Sequence, residues 1–386
     1  MKTSGVNYEE IRASVIKKIE RSEVRMDVVT MPDFFLDHSL TYKQGATHLA
    51  ERISSVAMKG GGEIPDIPQR LEVGGNAAIC TMALARLGAM VHPIMKTDQL
   101  GRLLLEHFYK DFRVDLSHIK TYGNLAPTVI LELGHGKRLA NVMVGDSAAV
   151  SDLNFDDFIP ADLSLLSNAN YVCVFNWLYN RKGTELAEGV FRYCRQNSKA
   201  RAFFDLADPW PRRAELPELA RRIIRSDLMD FLGVNENEAI LIARIFHKKI
   251  RKGRGNMASA LEASKVIAES TNIKVFVHTA RYSASIARNH CAIAPTFKVS
   301  VRRGTGAGDS WNAGILVAES LGLGEEEKLL FANTVAARYI SQQDREYASI
   351  EDITNFLKDP HHSLNILGTT RSRKPRVPDL FSSFLA

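Results

Sequence analysis

A carboxylate sits inside a glycine-rich turn at Arg303-Gly304-Thr305-Gly306-Ala307-Gly308-Asp309-Ser310-Trp311-Asn312-Ala313-Gly314. The run follows an apolar, β-prone stretch, Phe297 to Val301, and precedes apolar positions at helical spacing (Ile315, Leu316, Ala318, Leu321). A turn that opens a helix leaves backbone N–H groups unpaired at the positive end of the helix dipole, which is a seat for a phosphate. Glycines at 306 and 308 keep side chains away from a bulky anion. Asp309 would repel that anion unless it has a task of its own. Accepting a proton from a hydroxyl that attacks the phosphate is such a task. Asp is also a common helix cap, so taken alone the motif fits a plain capped turn equally well.

A second motif decides between the two. Val73-Gly74-Gly75-Asn76-Ala77-Ala78-Ile79-Cys80 runs into Thr81-Met82-Ala83-Leu84-Ala85-Arg86-Leu87-Gly88-Ala89, a buried helix pattern closed by Gly88. A strand, Val91 to Met95, and then Thr97-Asp98-Gln99-Leu100-Gly101 follow. Together the two motifs resemble those of the ribokinase-like (PfkB) family of carbohydrate and nucleoside kinases, with a Gly-Gly-Asn/Lys element near the N-terminus and Gly-Ala-Gly-Asp near the C-terminus. Order, separation and intervening elements match from about residue 27 to about residue 357.

The resemblance implies an ATP-dependent phosphotransferase acting on a hydroxyl, expected to be a hydroxymethyl group, of a sugar or polyol. In it Asp309 is the catalytic base, and the backbone of Gly306, Ala307 and Gly308 is the anion hole. Asp37, with Gly74, Gly75 and Asn76, binds substrate hydroxyls; a carboxylate can accept two neighbouring hydroxyls, which suits a vicinal diol. Asp33 reads as a turn cap more than as a ligand. Asn235 and Glu238 match an Asn-x-x-Glu element that orients water-bound Mg²⁺, with no side chain bound directly to metal, while an N-cap explains the same residues. Thr279 and Asn333 are implied on the nucleotide side. His278 and Trp177 read as core or pocket wall. A nucleoside kinase is the alternative within the chemistry; with Tyr122 the only lid aromatic, sugars are favoured. A non-catalytic sugar- or nucleotide-binding regulator is the alternative of another class.

Two departures from the family pattern stand out. Arg281 and Ala284 replace glycines of a Thr-x-Gly-x-x-Gly stretch, and Arg303 stands six residues before Asp309, where relatives are acidic. In many relatives that acidic residue helps to bind a monovalent cation, so independence of potassium is expected here.

The chain has 386 residues, 45% hydrophobic and 24% charged, enough for one large α/β domain or two smaller ones. No apolar run reaches the ~18 residues of a membrane span. Met1 to Arg25 is charged and helix-patterned, unlike a secretory signal. Cys80, Cys173, Cys194 and Cys291 are scattered, which reads as free thiols. These features lead us to expect a cytoplasmic protein. Basic runs at 248–254 and 371–376 lack interleaved aromatics, so a nucleic-acid partner is not expected despite the net charge of +6. The apolar end, 380–386, could dock on the body or on a second copy in a homodimer.

The elements that must position these residues follow from periodicity. Met26–Met31 is a buried strand. The stretch 39–70 is polar and carries Gly60-Gly61-Gly62, and Thr128–Leu133 with Arg138–Val144 forms a hairpin about a 134–137 turn. The resemblance assigns these two excursions to a small β-sheet lid. Beyond them strands at 171–175, 202–206, 229–234 and 274–278 alternate with helices at 183–196, 215–226, 236–250 and 256–270. The fold class expected is therefore α/β and ribokinase-like, with a mostly parallel central sheet, helices on both faces and the small lid. Ligands in such sheets sit beyond the C-terminal strand ends, where Asp37, Asn176, Asp205, Asn235 and Thr279 fall. The expected layout is a helical extension over 1–26, a kinase domain over 27–360 with lid segments near 39–70 and 121–145, and a tail over 361–386.

Overall fold

In the computed structural model, residues 7–135, 138–246, 257–342 and 346–365 are described. The basic runs, the apolar end and the tip of the hairpin at Gly136-Lys137 lie outside them. The strands in chain order are β1 (Asp27–Met31), β2 (Phe35–Tyr42), β3 (Gln69–Gly74), β4 (Met90–Pro93), β5 (Ala126–His135), β6 (Arg138–Gly145), β7 (Tyr171–Val174), β8 (Arg201–Asp205), β9 (Phe231–Val234), β10 (Lys274–His278), β11 (Tyr282–Ala287) and β12 (His290–Pro295). The helices are α1 (Tyr8–Ile19), α2 (Ala46–Met58), α3 (Asn76–Arg86), α4 (Gln99–Tyr109), α5 (Pro160–Asn168), α6 (Gly183–Asn197), α7 (Leu216–Leu219), α8 (Glu236–Phe246), α9 (Met257–Ser270), α10 (Ala307–Ser320), α11 (Glu325–Ser341) and α12 (Ile350–Lys358).

Eight strands form the main sheet in the order β12-β11-β10-β9-β8-β7-β1-β4. From β4 to β10 all neighbours are parallel, and β11 and β12 add an antiparallel edge. The parallel strands are apolar and buried in their central positions because helices cover both faces, with polar residues at their ends. Successive residues of β1 show the division: Val28 packs with Leu84, Phe175 and Phe331 on one face, and Val29 with Leu186, Phe191 and Ile242 on the other. The second sheet has the order β3-β2-β5-β6, with β2 and β5 parallel and the outer pairs antiparallel. Among the described residues no helix is long and apolar enough to cross a membrane.

Helix α1 belongs to the body of the domain. Val15 and Ile19 are buried, Ser14 and Lys18 bind Glu327 on α11, and Tyr8 donates to the Ile293 carbonyl. The buried Arg12 guanidinium donates to the backbone carbonyls of Leu357 and Asp359 where α12 ends.

Several local expectations fail for physical reasons. The polar stretch 39–70 contains helix α2, which needs only one shallow contact: Leu49 packs with Tyr42 and Leu133. Phe297–Val301 is not a strand. Beyond the sheet edge it makes a single bridge, Phe297 to Leu364, and Val301 is exposed. The helix expected over 215–226 is one α turn followed by a π turn, Ala220–Ile224. The β11–β12 hairpin was not anticipated.

Candidate active site

Gly306 takes a left-handed conformation (φ 83°) to open α10, and no side chain caps that helix. A Cβ at Gly306 would lie 2.4 Å from the Tyr339 hydroxyl, and that hydroxyl donates to the Thr305 carbonyl, which pins the turn. At Gly308 a Cβ would come within 3.0 Å of the His278 ring. Asp309 follows in the first turn, 6% exposed, and its Oδ1 accepts a hydrogen bond from Asn76 Nδ2 at 2.8 Å. Burial, then the nearby Asp205, pushes its carboxyl well above the usual range, against the lowering effect of Asn76.

The Gly74-Gly75 pair lets two carboxylates approach the backbone. A Cβ at Gly74 would sit 2.1 Å from Asp37 Oδ1, and one at Gly75 (φ 96°) 2.8 Å from Asp33 Oδ2. Asp33 is wholly buried. It accepts from the backbone N–H groups of Asn76 (2.7 Å) and Ala77 (3.0 Å) and from Asn176 Nδ2 (2.7 Å). It is thus a cap, though for α3 and not for its own turn. Asp37 lies on β2, opposite Glu72 and Thr128, and not at the end of β1. Among the described residues its carboxylate accepts no hydrogen bond. Burial, then Glu72 and Asp33, raises its pKa to about 7.

Asn235 caps α8: its Oδ1 accepts from the N–H groups of Asn237 (2.9 Å) and Glu238 (3.1 Å), while Glu238 accepts from the Asn235 N–H at 2.9 Å. Glu238 is buried, and desolvation with Asp205 raises its pKa. Asp205, whose strand-end position was noted without a role, stands between these groups. It accepts from Asn312 Nδ2 at 2.7 Å. Two further side chains were assigned no part. Asn176 holds a positive φ of 50° and a buried Oδ1 without a partner, and the half-buried His278 has a buried, unpartnered Nε2, with burial of the ring lowering its pKa. Among the described residues, no lysine, arginine or histidine forms an ion pair with Asp33, Asp37, Asp205, Glu238 or Asp309.

Asn76, Asp309, Asp33, Asp37 and the Gly306–Gly308 turn are thus brought together. Three expectations come out differently. The Asn76 side chain, read as a substrate contact, donates to Asp309. Asn333 is buried, accepting from Trp311 Nε1 and donating to the Pro295 carbonyl, both at 2.9 Å, so these two bonds tie it to the fold. Thr279 shapes the β10–β11 turn, donating to the Tyr282 carbonyl and accepting from the N–H groups of Arg281 and Tyr282. Arg303 is held by the end of α11 and the segment that follows it. It donates to the Tyr339 carbonyl (3.0 Å) and the Glu346 carbonyl (3.3 Å) and lies 3.4 Å from the Tyr339 ring centroid. A guanidinium is favoured there, at the C-terminal end of α11.

The second sheet turns a polar face inward. Along β2 and β5, Asp37, Ser39, Thr128 and Glu132 are buried, while Val142, Met143 and Val144 on β6 are exposed. Asn141 of β6 donates to Thr305 of the glycine turn at 3.3 Å, which joins the hairpin to the phosphate seat.

Residues 68–351 match the family described as pfkB family carbohydrate kinase. No curated protein sequence matches the chain. Among solved structures, the chain is similar to Arabidopsis thaliana ribokinase complexed with ribose and ATP, at 16% identity and a TM-score of 0.66, over 88% of this chain and 100% of that one. It is similar to a putative ribokinase II in complex with ATP and Mg²⁺ from E. coli (14%, 0.65, 87% and 99%). It is also similar to adenosine kinase from Sinorhizobium meliloti (18%, 0.64, 84% and 97%). At these identities the likeness is one of fold.

Proposed function

The chain belongs to the pfkB family of carbohydrate kinases, and on that premise we propose that it transfers the γ-phosphoryl group of ATP to a hydroxymethyl group of a sugar or polyol. The observation that carries this reading is the buried Asp309 carboxylate, held by Asn76 in the first turn of a helix whose glycine start is left uncapped. The acceptor oxygen attacks the γ-phosphorus as the bond to the bridging β,γ-oxygen breaks. The hydroxyl proton passes to Asp309, and ADP leaves. A base whose proton affinity is raised toward the working pH suits that transfer. Asn76 orients the carboxylate, and the backbone N–H groups of Gly306, Ala307 and Gly308 serve the charge that spreads over the phosphoryl oxygens, Ala307 giving up its long 3.4 Å bond to the Gly304 carbonyl to do so.

Asp37 is the acceptor side: an unpartnered buried carboxylate beside Ser39 and Thr128 suits vicinal hydroxyls. Burial and then Asp205 raise the proton affinity of both Glu238 and Asp309, and among the described residues no basic side chain pairs with them, so a hydrated Mg²⁺ would fit these oxygen donors, with Asn235 and Glu238 holding its waters. When bound it would neutralise phosphate charge. The second sheet acts as a lid, with Asn141 on Thr305 as its latch. One observation favours a nucleoside acceptor instead. Phe35 and the exposed Tyr179 meet at 5.5 Å at the start of β2, an aromatic edge on which a base could stack.

The test is a panel of pentoses, hexoses, polyols and nucleosides with Mg-ATP, product being read by mass spectrometry. Stoichiometric ADP and a sugar phosphate support the reading, and a nucleoside monophosphate moves it to the second acceptor class. Absence of any phosphorylated product across the panel, with ATP bound, would leave a binding protein.

A further inference from the structure

On the edge of the main sheet, on strand β4, three side chains outside the proposed active site point their ligating atoms at one another. They are His92, Asp115 and His118, whose atoms all lie within 4.8 Å of one another. A 3₁₀ turn, Leu116–His118, ends on His118, and Asp115 caps its start by accepting from the Ser117 N–H at 2.9 Å. That segment is tied to β4 by the Val91–Val114 bridge. Asp27, which opens β1, is the neighbour across the strand pair, whereas the active-site carboxylates follow the strands' other ends.

The far nitrogen of each histidine is already spoken for. His118 Nδ1 lies 2.7 Å from Asp162 Oδ1, and His92 Nε2 lies 3.3 Å from Asp27 Oδ1. Where the proton sits on the nitrogen that faces the outer carboxylate, the other nitrogen keeps its lone pair, the arrangement that orients metal-binding imidazoles. Those lone pairs, on His92 Nδ1 and His118 Nε2, both face Asp115 Oδ2, at 3.2 and 3.8 Å. Three possible ligand atoms converge there, within reach of one small cation. Protons shared with Asp115 or a metal ion can hold them together. Bonds of about 2.0–2.1 Å from zinc to nitrogen and oxygen put tetrahedral corners roughly 3.4 Å apart, close to these separations. Charge fits as well. Asp162 is buried and paired with Lys120 at 2.6 Å, so the three carboxylates and one ammonium of the cluster leave a charge of −2. Of the neighbouring cations, Arg102 binds the Leu116 carbonyl and is paired with Glu106, and Arg113 donates to the Gly88 carbonyl.

We propose that His92, Asp115 and His118 form a Zn²⁺ site with water as the fourth ligand, clipping the 110–118 segment to the edge of the main sheet. Asp27 and Asp162 orient the two imidazoles. The ion serves the fold and not the transfer chemistry, so phosphoryl transfer is expected to proceed without it.

Tag-free full-length protein, stripped with a chelator and then titrated with Zn²⁺ against a chromophoric competitor, is expected to take up one ion per chain and to melt at a higher temperature. Co²⁺ in its place is expected to give the intense visible bands of four-coordinate cobalt. His118→Gln and Asp115→Asn should abolish this uptake, and Asp162→Asn should weaken it by about 10–100-fold. Cys291→Ser should leave it unchanged, since the thiols take no part. Absence of stoichiometric uptake by the wild type would overturn the site in favour of protons shared with Asp115. Uptake unchanged in Asp115→Asn would place the ion elsewhere, and overturn it equally. Should a variant not fold, the cobalt spectrum of the wild type still decides.

Discussion

Two helices that pack on each other, α3 and α10, begin in the same way and are completed differently. Each opens on a glycine with positive φ, Gly75 at 96° and Gly306 at 83°, and each therefore offers a first turn of outward N–H groups. At α3 the protein supplies the anion itself. Asp33, reaching in from the end of β1, takes the N–H groups of Asn76 and Ala77. At α10 no side chain caps the turn, and the carboxylate belonging to it, Asp309, is turned sideways onto Asn76. The same backbone device is thus a structural joint where it is filled from within and a ligand seat where it is left open. A glycine pattern alone does not separate the two uses; the provenance of the nearest anion does.

Substitutions can sharpen or break this contrast. The largest effect is expected from Asp309→Asn, which keeps size and hydrogen bonding but loses the basic oxygen. The turnover rate with Mg-ATP should fall by about 10²–10⁴-fold with the melting temperature unchanged or raised. Activity within a few-fold of wild type would end its role as base. Asp33→Ala should act on stability instead. It strips two backbone donors and Asn176 of their acceptor, at a cost of roughly 2–4 kcal/mol in urea unfolding. A loss below 0.5 kcal/mol would show that α3 does not depend on its internal anion.

A smaller effect is expected from pH. The folded-state pKa of Asp37 is about 7, above its unfolded value, so the folded protein binds the proton more tightly. Stability should therefore fall as pH rises from about 4 to about 7, the cost being fully present above pH 7. Asp37→Asn should flatten that slope by something up to about 4 kcal/mol over the window. An unchanged pH profile in the variant would assign the slope to other groups. The smallest effect is expected at Arg303. Its guanidinium already occupies the Tyr339 and Glu346 carbonyls, so exchanging K⁺ for Na⁺ at constant ionic strength should leave the rate of the wild type unchanged within about twofold, a margin set by surface screening alone. Arg303→Ala should cost about 1–2 kcal/mol of stability through its carbonyl and aromatic contacts, and little rate. Several-fold activation of the wild type by K⁺ would count against this.

Sequence patterns carry the elements whose physics is local. The parallel strands are short, mostly apolar runs, and the two glycine turns announce the starts of α3 and α10, so the sheet and the Asp309 turn could be read directly. What stayed hidden depends on partners distant in the chain. Asp33 looked like a local turn cap because nothing nearby reveals that it reaches a helix 43 residues on. Asn333 looked available because its two partners, Trp311 and Pro295, come from separate elements. Arg303 could be placed beside a phosphate seat by its spacing from Asp309, but only the packing of Tyr339 shows which way it turns. Helix α2 was passed over because the stretch is polar as a whole and buries Leu49 alone, although Leu49, Ile53 and Val56 stand at helical spacing.

The docking of α1 has a consequence for how the protein is made. Lys18 pairs with a residue 309 positions later, and Arg12 reaches carbonyls still further along. At synthesis rates of about 5–20 residues per second, α1 waits roughly 15–60 s after its own synthesis for the surface it binds. During that interval Val15 and Ile19 have no native cover, and an arginine destined for burial remains solvated. The final native contacts of the earliest segment are therefore made after the glycine turn of α10 has been synthesised. A nascent chain stalled before α11 should keep its N-terminus open to protease, and release of the finished chain should close it.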